Sequence, residues 1–431
     1  MSTRGRLLVL WNQVEEDVYE HYREEGPRAL PWDPNRVAPD VGTVKEEMDA
    51  LVAGLREARF RVDVVNVEDD IDRLFSAIRF YRPDAVFNLI EYFRDDPMQE
   101  AYVAGLYEMM GVSYTGNRPI TLATCQNKYR TKLLLEAAGL PTAEFFLATR
   151  SPVPADHGLE FPLIVKPAFE DASGGIEPDS VVLDQVGLAA RVAHVLSDFG
   201  TPALVEEYIE GREIHAAILG NRPSEVLPLF EMEFDQSAAD DGEWKPQIIS
   251  FRAKWDPYHK DFYSMDAVVP PRDLDPIVEG YIREVAVGAF QAVRGRDYAR
   301  IDMRVDPDGQ PFILEINPNP DLVDGAAYAM CARAGGRSYP ETVAAIADLA
   351  VARSRRLGKP GEAAGVPSDQ LLREHLERRG GPAPAPATRG AASGASAAAG
   401  VSGSAGVSGS AGATGPNGPG GATGPTGSTG T

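Results

Sequence analysis

Four polar side chains that could do chemistry together lie close to one another near the end of the folded part of the sequence: Arg300, Asp302, Glu315 and Asn317. Asp308-Gly309, between the two pairs, is typical of a two-residue hairpin turn. A turn centred there places Asp302 opposite Glu315. Alternate residues on a strand share a face, and so do cross-strand partners. The spacing therefore predicts all four side chains on one face of a hairpin.

This face suits a divalent cation. Two carboxylates and an amide oxygen are hard ligands of the kind that Mg²⁺ prefers, and the adjacent guanidinium suits an anion that the metal also touches. The alternative is an ordinary amphipathic hairpin with a solvated charged face. Opposed acids destabilise each other without a cation between them, which favours the metal interpretation. The other face is apolar and carries Ile301, Met303, Leu314 and Ile316.

Length and composition limit the function classes. The chain has 431 residues, enough for two or three domains, with 43% hydrophobic and 25% charged residues. Its formal net charge of -22 argues against non-specific binding to nucleic acid or to an anionic membrane. Two cysteines, Cys125 and Cys331, are too few for a disulfide framework, which favours a reduced, cytoplasmic setting. No stretch approaches the length of a membrane span or a signal-peptide core.

Strands and helices alternate along the first part of the sequence, which predicts an α/β fold with a parallel sheet. The strands are predicted at residues 7–11, 61–65, 85–89 and 112–115, and the helices at 43–59, 71–80 and 99–110. Residues 12–40 are predicted to be a long loop, with a short helix within it as an alternative. Further along, strands are predicted at 163–167, 203–209, 212–219 and 226–233, and helices at 127–138, 187–199, 275–293 and 339–355.

The end of the sequence differs in character from the rest. After residue 356 small residues and proline come to dominate, and from Gly400 to Gly430 a glycine occupies every third position. Few of the intervening positions are proline. A flexible or weakly collagen-like tail is therefore favoured over a stable triple helix.

Two further groups of residues could bind a nucleotide. Lys166 ends an apolar strand just before the loop Ser173-Gly174-Gly175, and an ammonium beside such a loop suits a polyphosphate. Alternatively, Lys166 is a strand-end lysine that extends into water. Glu206 and Glu207 close another strand and Glu213 follows, an arrangement suited to a base amine and a ribose diol. The alternative is that these acids simply face water.

The order of these motifs resembles the ATP-grasp ligases, and within them the D-alanine–D-alanine ligase family. The runs that carry the resemblance are NKYRTK at 127–132, VKP at 165–167, VEEYIEGRE at 205–213 and the hairpin at 300–317. The resemblance extends over about residues 5–355. It implies a three-domain α/β protein, with α+β character within its domains: an N-terminal parallel-sheet domain (1–118), a central lid domain (119–205) and a C-terminal domain with the metal site (206–355). A disordered tail (356–431) follows.

The resemblance also implies roles for individual residues. Lys128, Lys166 and Lys254 correspond to lysines on the phosphate side of ATP, and Ser173, Gly174 and Gly175 to the lid loop. Glu206 would take the adenine amine and Ile209 the backbone contact at the hinge, with Glu207 beside them, and Glu213 would take the ribose hydroxyls. Asp302, Glu315 and Asn317 would hold two Mg²⁺ ions, with Mn²⁺ as an alternative metal. Arg300 would stabilise the acyl phosphate, and Glu15 or, alternatively, Glu16 would hold the amino group of the donor.

The sequence departs from the family after Asn317. The positions of a family glycine and serine are occupied by Asp321 and Ala326, and a carboxylate there would repel the carboxylate of an amino-acid acceptor. Asp321 and Asp324 therefore favour a cationic or peptidic acceptor. The alternative is that they cap a turn and face water.

The function predicted from the sequence is an ATP-dependent carboxylate–amine ligase that forms an amide through an acyl phosphate, with small-molecule or peptide substrates and an acceptor other than D-alanine. The alternatives are a D-alanine–D-alanine ligase proper, a peptide-modifying ligase of the same superfamily, and a non-catalytic ATP-binding protein. The tail as a substrate peptide is a further alternative. The resemblance suggests a homodimer, and no nucleic acid or membrane partner is expected.

Overall fold

Regular structure is distributed along the whole described part of the chain. The computed structural model describes residues 3–14, 28–38, 42–170, 173–235 and 244–357. Its strands are β1 (Arg6–Trp11), β2 (Ala29–Leu30), β3 (Asp33–Val37), β4 (Arg61–Asn66), β5 (Ala85–Leu89), β6 (Phe145–Ala148), β7 (Leu163–Pro167), β8 (Val181–Val182), β9 (Ala203–Glu207), β10 (Arg212–Leu219), β11 (Glu225–Val226), β12 (Phe230–Phe234), β13 (Met265–Val268), β14 (Tyr298–Val305) and β15 (Pro311–Asn317). Its α-helices are α1 (Val44–Glu57), α2 (Ile71–Tyr81), α3 (Gln99–Met109), α4 (Pro119–Cys125), α5 (Lys128–Ala137), α6 (Gln185–His194), α7 (Phe251–Trp255), α8 (Pro276–Ala292), α9 (Ala327–Ala334) and α10 (Tyr339–Leu357).

The N-terminal sheet is parallel, as predicted, with the strand order β4-β1-β5. The apolar run of β1 is buried because both faces of a parallel sheet are covered. The strand predicted at 112–115 is wrong, since only a single bridge joins Tyr114 to Val86. Residues 12–40 are also not simply a loop, because β2 and β3 form a short hairpin within them. Trp32, in the turn of that hairpin, donates to the Tyr258 carbonyl at 3.1 Å.

The central sheet is antiparallel and has the order β6-β9-β7-β8. Helix α6 packs on it through Leu188 and Val192, which belong to the same buried cluster as Val165 and Val205. The predicted helix at 187–199 is regular only as far as His194, and it then continues as one π-helical segment to residue 199. The edge strands β6 and β8 were not predicted from the sequence because both are very short.

The third sheet positions most of the predicted site. It is six-stranded, with the order β13-β12-β10-β14-β15, and β11 pairs with β10. Helix α8 covers one face, where Ile282 and Val285 pack with Ile301 and Met303. The single strand predicted at 226–233 is instead two strands, β11 and β12. The segment between them contains Pro228, which has no backbone donor for a strand ladder.

The hairpin of β14 and β15 has the predicted pairing at the site, with Asp302 opposite Glu315 and Arg300 opposite Asn317. Its turn, however, is longer than two residues. The Asp306 backbone amide donates to the Gln310 carbonyl, and the Asp306 carboxylate accepts from the backbone amides of residues 308 and 310. Gly309 supplies the positive φ of 83° that this turn requires.

The longer turn changes the role of Leu314. Near the turn Met303 pairs with Ile313, so the register shifts by one residue just before Glu315. This β-bulge restores Glu315 and Asn317 to the face of Asp302, because a one-residue slip would turn every side chain to the other face. Leu314 was predicted on the apolar face, and this is wrong: it lies outside the core cluster and lines the cavity described below.

The start and the end of the described chain share one core. Leu7 and Val9 of β1 belong to the same buried cluster as Val343 and Ala347 of α10.

The described residues all lie within one compact unit, and the boundaries proposed at residues 118 and 205 remain predictions. The predicted tail lies outside the described residues from 358 onward. No described helix is both long and apolar enough to cross a membrane.

A buried ion pair fastens this shared core to the third sheet. Asp297 has no exposed surface, and its two carboxylate oxygens lie 2.8 Å from the guanidinium nitrogens of Arg353 on α10. The same carboxylate accepts from the Gly116 amide at 3.2 Å and the Asn221 side chain at 3.0 Å.

Removal of Arg353 should therefore destabilise the fold. Arg353→Met is expected to cost about 3 kcal/mol, since it removes the bidentate partner of a fully buried carboxylate and leaves only the more distant Arg296 at 3.8 Å. The thermal unfolding midpoint of the full chain measures the loss. Arg333→Met is the matched control, because its pair with Asp324 is about half exposed and should contribute less than about 1 kcal/mol. Equal shifts in the two variants would contradict this account.

Candidate functional site

Residues of the central and third sheets line a cavity of about 550 Å³. Most of the residues predicted from the sequence face it. They are Lys128, Lys166, Ser173, Gly174, Glu206, Glu207, Ile209, Glu213, Lys254, Arg300, Asp302, Glu315, Asn317 and Asp321. The structure thus brings together residues that are almost two hundred positions apart in the sequence.

Two of the predicted residues that the structure describes are not part of this lining. Gly175 lies behind it: an added Cβ would come within 2.7 Å of Phe199, so this glycine allows close packing of the loop. Asp324 was predicted in the acceptor pocket; its exposed carboxylate is paired with Arg333 at 2.5 Å and does not face the cavity, and its acceptor role remains a prediction. Glu15 lies outside the described residues.

The acids of the hairpin already have cationic partners. The Arg300 guanidinium donates two hydrogen bonds of 2.7 Å to the two oxygens of Asp302. The Lys128 ammonium lies 2.9 Å from Glu315 Oε2, and the Asn317 amide donates to Asp302 Oδ2 at 2.8 Å. The sequence interpretation assigned the relief of repulsion between Asp302 and Glu315 to a metal. In the structure, neighbouring side chains relieve that repulsion. Within the described residues, no group of three or more His, Cys, Asp or Glu side chains is arranged to hold a metal.

These ion pairs hold the groups in their charged forms. Burial on its own would raise the pKa of Glu315, but the nearby Lys128 and Arg300 charges outweigh it and hold that pKa well below its usual range. Burial would lower the pKa of Arg300, but the bidentate pair with Asp302 raises it instead. The cavity therefore offers the ionised Glu315 carboxylate and a permanent cation side by side.

A second set of ion pairs is centred on a buried carboxylate. Glu206 is 1% exposed, and its two oxygens lie 2.5 Å from Lys132 Nζ and 2.7 Å from Lys166 Nζ. Burial would raise the pKa of Glu206, but the two ammonium groups outweigh it and lower the pKa to about 2. Both oxygens are thus engaged with lysines in this structure, and the adenine role of Glu206 remains a prediction. Its evident role is to hold Lys166 at the cavity wall.

Lys132 was not predicted as part of the site. It lies one helical turn after Lys128, so the two side chains share a face of α5. Its ammonium also contacts the Thr142 hydroxyl at 2.5 Å. Burial lowers the pKa of Lys132, and Glu206 opposes that effect. The spacing of four residues between Lys128 and Lys132 is the sequence signal that could have identified Lys132.

Arg304 was also missed. Alternation along β14 places it on the face of Arg300 and Asp302, so the same rule that found those two residues applies. Its guanidinium donates to the Gly211 carbonyl at 2.8 Å, the Tyr208 hydroxyl at 3.1 Å and the Gln247 carbonyl. The guanidinium Nε is also 3.6 Å from Glu213. Arg304 therefore fastens the connector between β9 and β10 to the third sheet.

His215 completes this face of the cavity. Its ring stacks on Phe230 with centroids 5.1 Å apart and an interplanar angle of 11°. Its Nε2 lies 3.4 Å from Glu213 Oε1, and its Nδ1 lies 4.0 Å from Asp302 Oδ1. The wall around it is apolar, with Met232 and Met330.

Comparison with known proteins agrees with this geometry. The family model described as the D-ala D-ala ligase C-terminus matches residues 134–348. The D-alanine–D-alanine ligase of Desulforudis audaxviator is 33% identical over 262 residues, which cover 59% of this chain and 78% of that protein. The uncharacterized protein y4sG of Sinorhizobium fredii is 33% identical over 357 residues, which cover 80% of this chain and 96% of that protein.

Solved structures share the fold. The D-alanine–D-alanine ligase of Bacillus anthracis complexed with ATP has a TM-score of 0.60 and 19% identity, covering 82% of this chain and 100% of that one. The same enzyme in a second crystal structure has a TM-score of 0.61. With the sequence matches, these findings show that the chain belongs to the D-alanine–D-alanine ligase-like family of the ATP-grasp superfamily.

Proposed function

We propose that this protein is an ATP-dependent carboxylate–amine ligase that forms an amide through an acyl phosphate and releases ADP and phosphate. One observation carries the proposal. A single cavity combines Lys128, Lys166, Lys254 and Arg300 with the two acids of the hairpin, Asp302 and Glu315. Phosphoryl transfer needs mainly charge neutralisation and positioning, which this set of groups can supply.

The hairpin acids fit a divalent metal by their chemistry. Asp302 and Glu315 present hard oxygen ligands on one face, and rotation of the Asn317 amide would add a third. Bound Mg²⁺, or Mn²⁺ in its place, would neutralise phosphate charge during transfer. The proposal includes two ions, which Asp302, Glu315 and Asn317 would hold. Lys128 and Arg300, which pair with these acids in the structure described here, would then be available to phosphate oxygens.

The residues of the chain support each stage. The donor carboxylate is a poor electrophile until it is phosphorylated, and Lys128, Lys166 and Lys254 line the place where the triphosphate would lie. Attack by the amine then puts negative charge on the former carbonyl oxygen. Arg300 is positioned to stabilise that oxyanion, since a preorganised cation shielded from water is most effective there. Glu15 remains our candidate for holding the donor's amino group.

We propose an acceptor other than D-alanine, cationic or peptidic in nature. Asp321 supports this because its carboxylate lines the same cavity as Arg300, whose pKa is raised mainly by Asp302 and to a smaller extent by Glu315 and Asp321. It also accepts from the Val323 amide at 2.8 Å, so the turn-capping role holds as well. A D-alanine–D-alanine ligase proper remains the second candidate, because several relatives carry that name. A screen of amines and peptides for stimulation of ADP release separates the two.

A non-catalytic ATP-binding protein is the rival from another class. It would bind ATP with Mg²⁺ yet release no ADP with any amine or peptide in the same screen. The cytoplasmic setting and the homodimer also remain proposals. They rest on the low cysteine count and on the family resemblance, and size-exclusion chromatography with light scattering tests the second.

Loss of the Glu315 carboxylate should abolish the turnover of ATP. Glu315→Gln is expected to lower ATP-dependent ADP release at least about 100-fold, since it removes an ionised oxygen ligand from the phosphate side. Asp308→Asn, in the exposed turn of the same hairpin, is the matched control and should retain activity. Similar activity in Glu315→Gln and the wild type would contradict the proposal.

The charge of Asp321 should set acceptor preference. Asp321→Asn is expected to reduce the rate with cationic amines about 10-fold relative to neutral ones, with the KM for ATP unchanged. Asp324→Asn serves as the control, because that carboxylate is paired with Arg333 outside the cavity. D-Alanine as the preferred acceptor of the wild type would overturn this part of the proposal.

The pair of lysines on Glu206 predicts a pH dependence of stability. The pKa of Glu206 is about 2 in the folded chain against an ordinary value of 4.5, so its contribution is fully present above pH 4.5 and is lost as pH falls towards 2. Glu206→Gln should be less stable than the wild type at pH 7, and the difference should shrink below pH 4.5. Thermal midpoints between pH 7 and 3 measure it. Glu207→Gln is the control, and a pH-independent difference for Glu206→Gln would contradict the assignment.

A further inference from the structure

A short hairpin near the start of the chain contacts one wall of the cavity from outside. The wall segment is residues 250–263, which contain helix α7 and a 3₁₀ turn at Lys260–Tyr263. It contributes Lys254 and Phe262 to the cavity lining. The hairpin consists of β2 and β3, which are paired only with each other among the described strands. The proposed chemistry uses the wall segment but gives the hairpin no role.

Two side chains of the hairpin contact the wall segment. The Trp32 indole nitrogen donates to the Tyr258 carbonyl at 3.1 Å, and the indole ring meets the Tyr263 ring in an edge contact with centroids 5.2 Å apart. The Arg36 guanidinium lies 4.2 Å from the centre of the same tyrosine ring, which is a close cation–π contact. An indole and a cation therefore hold Tyr263 from the side of the hairpin.

Tyr263 connects these contacts to the cavity. Its hydroxyl donates to the Pro257 carbonyl at 2.8 Å, so the ring fastens the turn in which it lies. The ring also packs on Phe262, with centroids 5.3 Å apart and an interplanar angle of 66°. Since Phe262 lines the cavity, the aromatic contacts run without a break from Trp32 to the cavity lining.

The two ends of the wall segment are attached elsewhere. The Phe251 amide donates to the Ile176 carbonyl at 2.9 Å, just after the lid loop. The Ser264 carbonyl, which directly follows the segment, accepts from the Asp235 amide at 2.8 Å, at the end of β12. Lys254 lies between these attachments, and the chain after it is irregular except for one short turn. The hairpin therefore supports the part of the wall that has the least regular structure.

We propose that Trp32 and Arg36 are positioning residues, which hold the wall segment so that Lys254 faces the cavity before ATP binds. The inference rests on the proposed function, because it uses the place of Lys254 on the phosphate side. A cation that is already in position needs no ordering when the phosphates arrive. Without the hairpin contacts the segment would sample other positions, and the apparent affinity for ATP would fall with the fraction of chains that are competent to bind.

Trp32→Ala should weaken ATP binding in a chain that remains folded, because this side chain is 40% exposed and adds little to the core. We expect the Kd for ATP with Mg²⁺ to rise about 10-fold, as it would if about one tenth of the chains were competent. Isothermal titration on the full-length chain measures the Kd. Trp32→Phe keeps a ring against Tyr263 without the N–H donor and should give an intermediate Kd.

The hairpin offers a matched control on its own strand. Alternation places Asn35 on the opposite face of β3 from Arg36, so Asn35→Ala should leave the Kd for ATP unchanged. Arg36→Met removes the guanidinium from the Tyr263 ring and should raise the Kd. A rise as large in Asn35→Ala as in Arg36→Met would overturn the assignment.

A double-mutant cycle tests whether the effect passes through Lys254. Once Lys254→Met has removed the ammonium, there is no cation left to position. Adding Trp32→Ala to that variant should then change the Kd for ATP by less than about 2-fold, which is the coupling expected of residues that act as a unit. A further 10-fold loss would mean that Trp32 acts through another group, and it would overturn the proposal.

Hydrogen exchange tests the same link directly. The His259 and Phe262 amides donate to carbonyls inside the wall segment at 3.0 and 3.3 Å. In Trp32→Ala these two amides should exchange at least about 5-fold faster, while the amides of β14 keep their wild-type rates. Faster exchange throughout the chain would indicate general destabilisation and would contradict a positioning role.

The failure of this inference can be told apart from the failure of the proposed function. If the wild type binds ATP and Trp32→Ala binds it equally well, only the positioning role fails. A lower thermal unfolding midpoint with an unchanged Kd would show a purely structural hairpin, which also overturns the inference alone. If the wild type binds no ATP, the proposed function and this inference fail together.

Discussion

Charged groups in this cavity can be buried only because each has a partner, and the pairing depends on one extra residue in β15. The turn at 306–310 sets a register in which Met303 faces Ile313, and continuing that register would turn Glu315 into the core. The bulge just before Glu315 reverses this, so Glu315 and Asp302 share a face where Lys128 and Arg300 reach them. An unpaired buried carboxylate would cost several kcal/mol, so the pairs and the bulge require each other.

The same pairs explain how the cavity can be stable yet ready for ligands. Lys128 on Glu315, Arg300 on Asp302 and Lys166 on Glu206 keep cations in place before any anion arrives. The pair of Lys132 with Glu206 is almost completely buried, at 1% and 2%, and Lys132 does not line the cavity, so this pair is scaffold. The hairpin pairs are more exposed, at 16% for Lys128 and 34% for Glu315, and can exchange partners when a metal and a phosphate bind. The difference in burial thus separates fixed from exchangeable charge.

Much of this site was predictable from alternation along strands, and the failures have identifiable physical causes. Period-two alternation places Arg300, Asp302 and Arg304 together, although only the first two were recognised. The bulge at Leu314 was not predictable, because Asp308-Gly309 is equally compatible with a short turn and with the longer one that the Asp306 carboxylate closes. The partners of Glu206 come from a helix and from another strand, and such long-range contacts leave no local pattern. The family resemblance supplied the motif order, but it carried no information about His215.

The nucleotide side of the cavity, near Lys128 and Lys166, and the acceptor side, near Asp321, differ in how they would attract their substrates. The chain carries a net charge of -22, so at long range it repels a nucleotide triphosphate and attracts a cationic amine. Screening removes that field beyond about 8–10 Å at physiological salt, and within this distance the local cations decide. ATP binding would therefore depend on direct contact with Lys128, Lys166 and Arg300. A cationic amine that approaches the exposed side of the cavity near Asp321 would be attracted at long range by the net negative charge and at short range by the Asp321 carboxylate. A cationic acceptor is thus the substrate class that agrees with the protein's overall charge as well as with the carboxylate at its cavity wall.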